Sequence, residues 1–360
     1  MSNSVQRISN LLSLTVNNIA LNPLIAAPLL FVLTKGPPQL RDQLIQRIAA
    51  LRDPQKLGKI VKALKWLLAL GLLGSANQQF NKIALNAWRL KSVKKQWEWS
   101  KEIAVVTGGC SGIGMRVVKG LMKKKVRVAI LDIQQLPESL QGYANIRFFA
   151  CDITNAEAVH STADRIRAEI GSPTILVNNA GIAHAHTILD TDDAWLRKIF
   201  AVNLLSNFTT VKAFLPDMIV NNKGHIVTVA SLASFVTVGG MVDYCSSKAG
   251  VLAFHEGLNQ ELKNHHKTTG ILTSSIHPNW VRTPLISSYE KSITASGSPI
   301  LEPQDVADAI VAQILSCSGG QVMLPKTAGK ASALRGWPNW MQETLRDGVT
   351  KGMLPATTGK

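Results

Sequence analysis

A doubly wound α/β fold with a parallel sheet is what this sequence predicts, on three observations. Short apolar runs alternate with helical stretches, a glycine-rich turn follows the first run, and polar residues recur at the carboxyl ends of the others. The first run, Ile103-Ala-Val-Val106, reads as a buried strand and enters Thr107-Gly-Gly-Cys-Ser-Gly-Ile-Gly114. Residues Met115 to Lys124 then read as a helix. Glycine at 108, 112 and 114 permits a tight turn and lets a pyrophosphate approach the free N–H groups of a helix N-terminus.

The second strand, Val126 to Leu131, ends in Asp132. An acid about 20 residues past the glycines is placed to bind the adenosine ribose hydroxyls and to repel a 2′-phosphate. Position 133 is Ile and Ser111 in the glycine turn is not basic, so the sequence favours NAD over NADP. A third strand, Ile146 to Ala150, runs into Cys151-Asp152-Ile153. A fourth runs through Ile175-Leu-Val-Asn-Asn-Ala-Gly181, and Asn203 follows in a stretch read as helix. The fifth, Gly224 to Ala230, ends at Ser231, and the sixth, Ile271 to Ile276, leads into His277-Pro-Asn-Trp-Val-Arg-Thr283.

Tyr244 and Lys248 lie four residues apart, which puts them on one helix face. At roughly 5 Å and an effective dielectric of about 20, the ammonium would favour the phenolate by about 3 kcal/mol, bringing the phenol from about 10 toward about 8. A tyrosine tuned in that way exchanges protons at cellular pH.

Together these features resemble the classical short-chain dehydrogenase/reductase superfamily over roughly residues 100–325. Its Thr-Gly-x3-Gly-x-Gly pattern is met by Thr107, Gly108, Gly112 and Gly114, and its Asn-Asn-Ala-Gly by Asn178 to Gly181. Its Asn-Ser-Tyr-Lys tetrad falls on Asn203, Ser231, Tyr244 and Lys248. The resemblance implies a Rossmann-type sheet of strand order 3-2-1-4-5-6-7. It implies Tyr244 as acid/base on the substrate oxygen, Lys248 lowering its pKa and holding the nicotinamide ribose, and Ser231 orienting the substrate. Asn203 would hold a water in the proton relay. Asp152 would contact the adenine and Asn179 the adenosine ribose region. Ile113, Ile153, Ala180, Gly181, Pro278, Val281 and Thr283 complete the implied cofactor site. Asn279 stands where the family usually has Gly, and Asn tolerates left-handed backbone better than most residues. The family also implies a homodimer built on the helices near 204–222 and 242–266.

The flanks differ from this core. Residues 1–100 hold 14 Lys/Arg against 3 Asp/Glu, residues 101–325 hold 19 against 18, and residues 326–360 hold 6 against 2. The chain's charge of +16 therefore lies mostly outside the core, which suits anionic lipid headgroups. No nucleic-acid-binding motif accompanies it, so nucleic acid is not an expected partner. Three regions result: a basic N-terminal region (1–99), a catalytic domain (100–325) and a basic extension (326–360).

Two apolar stretches, 19–34 and 63–76, are shorter than the roughly 20 residues a straight membrane span needs. The second follows Lys56, Lys59, Lys62 and Lys65, as in an apolar segment beside a cationic interface. The expectation is a shallow hairpin or interfacial anchor. A single short span, or two helices packed on the soluble core, are the alternatives.

With Asp132, this pattern resembles the membrane-associated group of retinol dehydrogenase 10 and 17β-hydroxysteroid dehydrogenases 11 and 13. That resemblance implies a lipophilic alcohol substrate and an endoplasmic-reticulum or lipid-droplet surface, with the catalytic domain facing the cytosol. A catalytically silent scaffold of the same fold, or an enzyme of the same type acting on a soluble metabolite, are the competing readings.

Cys110, Cys151, Cys245 and Cys317 follow no metal spacing and read as reduced thiols, so no metal is expected. His184 and His186 read as solvated loop histidines, with the substrate entrance as the alternative. The tail around Gly336-Trp-Pro-Asn-Trp340 is expected to dip into a membrane interface or to pack over the substrate cleft.

Overall fold

The computed structural model describes residues 20–295 and 297–353. The first nineteen residues of the basic N-terminal region, including the start of the 19–34 stretch, and residues 354–360 of the extension lie outside them. The chain divides into two compact units, Met1–Ala84 and Leu85–Lys360.

Among the described residues, the second unit carries seven strands: β1 (Ile103–Thr107), β2 (Arg127–Asp132), β3 (Ile146–Ala150), β4 (Ile175–Asn178), β5 (Gly224–Val229), β6 (Ile271–Pro278) and β7 (Gly320–Leu324). Their order is 3-2-1-4-5-6-7 and every pairing is parallel. Strand residues alternate between two faces. Ala104, Val106, Val128 and Ile130 pack with helices Gly112–Lys123 and Pro303–Leu315. Val105, Ala129 and Leu131 pack on the opposite side with helices Ala156–Ile170, Ser206–Val220 and Val242–Asn264. Covering both faces explains why the strands read as continuous apolar runs.

Residues 85–99 belong to this unit. The Arg89 guanidinium donates to the carbonyls of Thr268 and Ile271 (3.4 and 2.6 Å), Asn86 Oδ1 accepts from Gly319 N at 2.7 Å, and Trp97 is buried in the core.

The described part of the first unit is helical: α1 (Pro23–Thr34), α2 (Pro38–Arg47), α3 (Ala49–Arg52) and α4 (Pro54–Leu85). Asn22 caps α1 by accepting from Leu24 N at 3.0 Å, and Asp53 caps α4 by accepting from Gln55 N at 2.8 Å, each before a proline at the first helical position. The 63–76 stretch lies inside α4. Lys56, Lys59, Lys62 and Lys65 form an exposed stripe that runs into its start, while Trp66 and Leu73 are 64% and 67% exposed. Among the described residues one helical run, Asp193–Val220, is long and apolar enough to cross a membrane, and half of it is buried in the sheet unit. That burial marks it as a core helix.

The remaining helices are α5 (Gly112–Lys123), α6 (Ala156–Ile170), α7 (Asp193–Phe200), α8 (Ser206–Val220), α9 (Val242–Asn264), α10 (Glu290–Ala295), α11 (Pro303–Leu315) and α12 (Asn339–Met353).

Candidate active site

The glycine turn between β1 and α5 is fixed from below. Thr107 Oγ1 accepts from the backbone N–H groups of Asn179 and Ala180 (3.0 and 3.1 Å), and Asn179 Nδ2 donates to the carbonyls of Thr107 and Gly108, both at 3.1 Å. Gly108 has φ +64°, and a Cβ on Gly114 would stand 2.1 Å from the Gly108 oxygen, so neither position accepts a side chain. Thr107, Gly114 and Asn179 thus brace the turn. The N-terminus of α5 carries no side-chain cap and no acid in its first turn, which leaves its N–H groups available to an anion.

A cleft of about 490 Å³ opens above this turn, and Gly108, Ser111, Gly112, Ile113, Ala180 and Gly181 are among the residues lining it. Asp132, Asp152 and Ile153 line it as well. Asp132 Oδ2 accepts from Cys110 N (2.8 Å) and Oδ1 from Gln134 N (3.0 Å), which orients the carboxylate and leaves it acceptor capacity for two hydroxyls. Asp152 is turned to its own loop, where Oδ1 accepts from the N–H and the hydroxyl of Thr154 (2.9 and 2.7 Å). An uncapped helix end, a glycine-floored cleft and an oriented acid fit a dinucleotide.

A second cleft, about 260 Å³, joins the first through Ile113, Asn179, Gly181, Thr283 and Leu285. Ser231, Tyr244 and Lys248 stand in its wall, as do Pro278 and Val281. Its remainder is largely apolar, with Val236, Val238, Met241, Trp280 and Ile286. The tail supplies Ala331, Leu345 and Val349, so it packs over the cleft. Gly239 N donates to Thr350 Oγ1 at 3.0 Å and Arg335 Nη2 to the Ser234 carbonyl at 3.3 Å, fixing the tail there. Trp340 faces outward, 71% exposed.

Ser231 follows β5 by two residues, and its hydroxyl accepts from Ala233 N at 3.1 Å. It donates to the Pro278 carbonyl at 3.4 Å and lies near the Tyr244 phenol. Lys248 is buried; its ammonium donates to the Val229 carbonyl at 2.9 Å and lies 5.8 Å from the Tyr244 ring centre. Burial pulls Lys248 down to about 8. Tyr244 differs from the sequence-based expectation of a lowered phenol. Burial pushes it up to about 12, against the lowering effect of the nearby Ser231 hydroxyl. In this state the lysine charge is spent on a backbone carbonyl, and loss of water around the phenol outweighs it.

Asn203 lies in a π-helical turn, Ala201–Leu205, between α7 and α8. Such turns insert one residue and often mark functional sites. Its Oδ1 accepts from Ile182 N (2.8 Å), and its Nδ2 donates to the Ile182 carbonyl (2.9 Å) and to Ser247 Oγ (3.1 Å). Its own carbonyl accepts from Asn207 Nδ2 at 2.9 Å. Asn203 therefore braces the site from behind and lines neither cleft. Asn279 adopts no left-handed backbone; its N–H donates to the Leu324 carbonyl at 2.8 Å, extending the β6–β7 pairing. Thr283 lines both clefts.

Sequence reasoning missed Ser247, buried between Asn203 and the Tyr244 carbonyl, to which it donates at 2.8 Å. It also missed Asp243. His186, expected to be solvated, has a side chain only 11% exposed, bonded to that acid. The four cysteines are free and buried.

A family model for short chain dehydrogenases matches residues 102–293. Human estradiol 17-beta-dehydrogenase 11 is 38% identical over 229 residues, covering 62% of this chain and 75% of that protein. Dehydrogenase RED2 of Cochliobolus heterostrophus is 39% identical over 210 residues, covering 58% and 78%. Among solved structures, a short-chain type dehydrogenase/reductase from Mycobacterium marinum superposes with a TM-score of 0.56 at 23% identity, over 62% of this chain and 93% of that one.

Proposed function

This chain belongs to the short chain dehydrogenase family, and on that premise we propose that it is an NAD-dependent oxidoreductase interconverting a lipophilic alcohol and its aldehyde or ketone. The observation that carries the reading is the position of Ser231, Tyr244 and Lys248 where a glycine-floored cleft meets an apolar one. Ser231 and Tyr244 hydrogen-bond the substrate oxygen, and Tyr244 takes the hydroxyl proton during oxidation or returns it during reduction. Bound nicotinamide supplies the carbon that accepts or gives the hydride. Lys248 stabilises the phenolate and also holds the nicotinamide ribose. Asp132 holds the adenosine ribose, and the absence of a basic residue at 133 or 111 favours NAD over NADP.

Val236, Val238, Met241 and Ile286 in the wall favour an apolar substrate, such as a retinoid, steroid or other lipid alcohol, over a soluble metabolite. The exposed apolar residues of α1 and α4 and the lysine stripe favour an interfacial anchor at a membrane or lipid-droplet surface. By the same reading the organelle is the endoplasmic reticulum or the lipid droplet, with the catalytic unit facing the cytosol. Exposed Leu205, Phe208 and Val220 on and beside α8 suit a homodimer contact. The test is NAD and NADP reduction by the purified full chain against short, long and polycyclic alcohols and polar polyols. Turnover with lipophilic alcohols and NAD is expected. Turnover confined to polyols refutes the substrate class, and none with any alcohol or carbonyl leaves the scaffold reading.

A further inference from the structure

We propose that His186 and Asp243 are positioning residues for Tyr244, forming one arm of a two-armed bracket through which the loop after β4 sets the tyrosine's backbone. This rests on Tyr244 being the acid/base group.

Asp243 is the second residue of α9, a helix whose N-cap, Met241, makes no side-chain bond. Its carboxylate is buried and folds back over the first turn. Oδ1 accepts from Tyr244 N at 2.7 Å. Oδ2 accepts from Trp195 Nε1 at 2.9 Å and from His186 Nε2 at 3.1 Å. One buried acid thus ties α9, α7 and the loop after β4 together, at a helix N-terminus where a negative charge is favoured. The loop is held on both sides of the acid. His186 N donates to the Gly240 carbonyl at 2.8 Å, and His186 Nδ1 lies 3.0 Å from His184 Nδ1. The two imidazoles stack with centroids 5.3 Å apart, and the Trp195 ring meets both edge-on. A carboxylate at Oδ2 requires the proton on His186 Nε2, which makes Nδ1 of the neutral ring the acceptor from His184.

The other arm leaves the same loop at Ile182. Asn203 grips both backbone groups of Ile182 and passes the contact to Ser247 Oγ, which donates to the Tyr244 carbonyl. Tyr244 therefore has its N–H set by the His186–Asp243 arm and its carbonyl by the Asn203–Ser247 arm. A phenol that must meet both Ser231 and a substrate oxygen tolerates little rotation of its own backbone, since displacements of about 1 Å cost large factors in rate.

Four variants of the full chain test this: His186→Leu, His186→Gln, Asp243→Asn and the double His186→Leu/Asp243→Asn, with Tyr244→Phe as reference. His186→Leu removes the donor, whereas His186→Gln keeps an N–H of similar reach. kcat is expected to fall about tenfold in His186→Leu and Asp243→Asn, with the Kd for NAD within about twofold of wild type. His186→Gln should recover most of the loss, and the double variant should be no slower than Asp243→Asn, because one arm is being cut twice. The proposal is overturned if His186→Leu keeps kcat within about twofold, or if His186→Gln is as slow as His186→Leu. The histidine pair decides the matter even if Asp243→Asn does not fold. Tyr244→Phe retaining turnover would instead remove the acid/base reading on which the bracket rests.

Discussion

The Lys248 ammonium stands 5.8 Å from the Tyr244 ring centre and donates to the Val229 carbonyl, which anchors it on β5. The two side chains share a helix face and differ in task. Tyr244→Phe should lower kcat by about 10²–10⁴-fold with NAD binding nearly unchanged, because it removes a proton donor and no cofactor contact. Lys248→Ala should weaken both turnover and NAD affinity. Stopped-flow turnover with NAD titration by fluorescence separates the two. A Tyr244→Phe enzyme above about a tenth of wild-type kcat contradicts the assignment.

The burial of Lys248 has a signed effect on stability. Its folded value of about 8 lies below the ordinary 10.5, so between those limits the unfolded chain binds the extra proton. Stability therefore rises with pH across that window, by at most about 1.4 kcal/mol per unit. Urea unfolding of the cofactor-free protein at pH 8 and pH 10 should show the rise, and Lys248→Met should flatten it. An unchanged slope in Lys248→Met would exclude the lysine as its source.

Cofactor choice is expected to follow Asp132 and Ile133. Asp132→Ala with Ile133→Arg should move the NAD/NADP ratio of kcat/KM toward NADP, by removing a repelling acid and adding a phosphate partner. Equal kcat/KM for the two cofactors in the native enzyme would set the Asp132 argument aside.

Ending the chain at Gly336 removes Leu345, Val349 and the Thr350 bond to Gly239. The tetrad is untouched, so short alcohols should keep their kcat while bulky ones bind with altered KM. A profile across an alcohol ladder that matches the full chain would show that the tail does not shape the site.

Membrane association is expected of the full chain and not of a chain beginning at Leu85. Starting later, near Trp97, would remove Asn86 and Arg89, which bond Gly319 N and the Thr268 and Ile271 carbonyls. Flotation with liposomes, washed with high salt and with carbonate, distinguishes inserted apolar helices from purely electrostatic binding. Full-length protein that stays soluble throughout would remove the main support for a lipophilic substrate.

The sheet was legible because its strands are covered on both faces. Runs such as Ile103 to Val106 and Ile175 to Val177 are apolar without interruption, and each leads into a residue of the site. Local motifs located Thr107, Tyr244 and Lys248, whose spacing is fixed within one turn or one helix, and Ser231 was located by its place just past β5. The phenol's direction of shift was not legible, because i,i+4 spacing gives proximity and says nothing of desolvation. The π turn at Asn203 was also hidden, since inserting one residue into a helix leaves no mark on composition. His186 and Asp243 meet across 57 positions, and the tail meets Gly239 across 111. No periodicity in the chain encodes contacts of that range.

The wall provided by Leu345 and Val349 also orders events in time. During synthesis the tetrad and all seven strands precede it, and domains form from the N-terminal side as the chain emerges. A nascent chain therefore assembles its reactive groups around an apolar chamber that still lacks one side. Until α12 arrives, the apolar lining that Leu345 and Val349 later cover faces solvent.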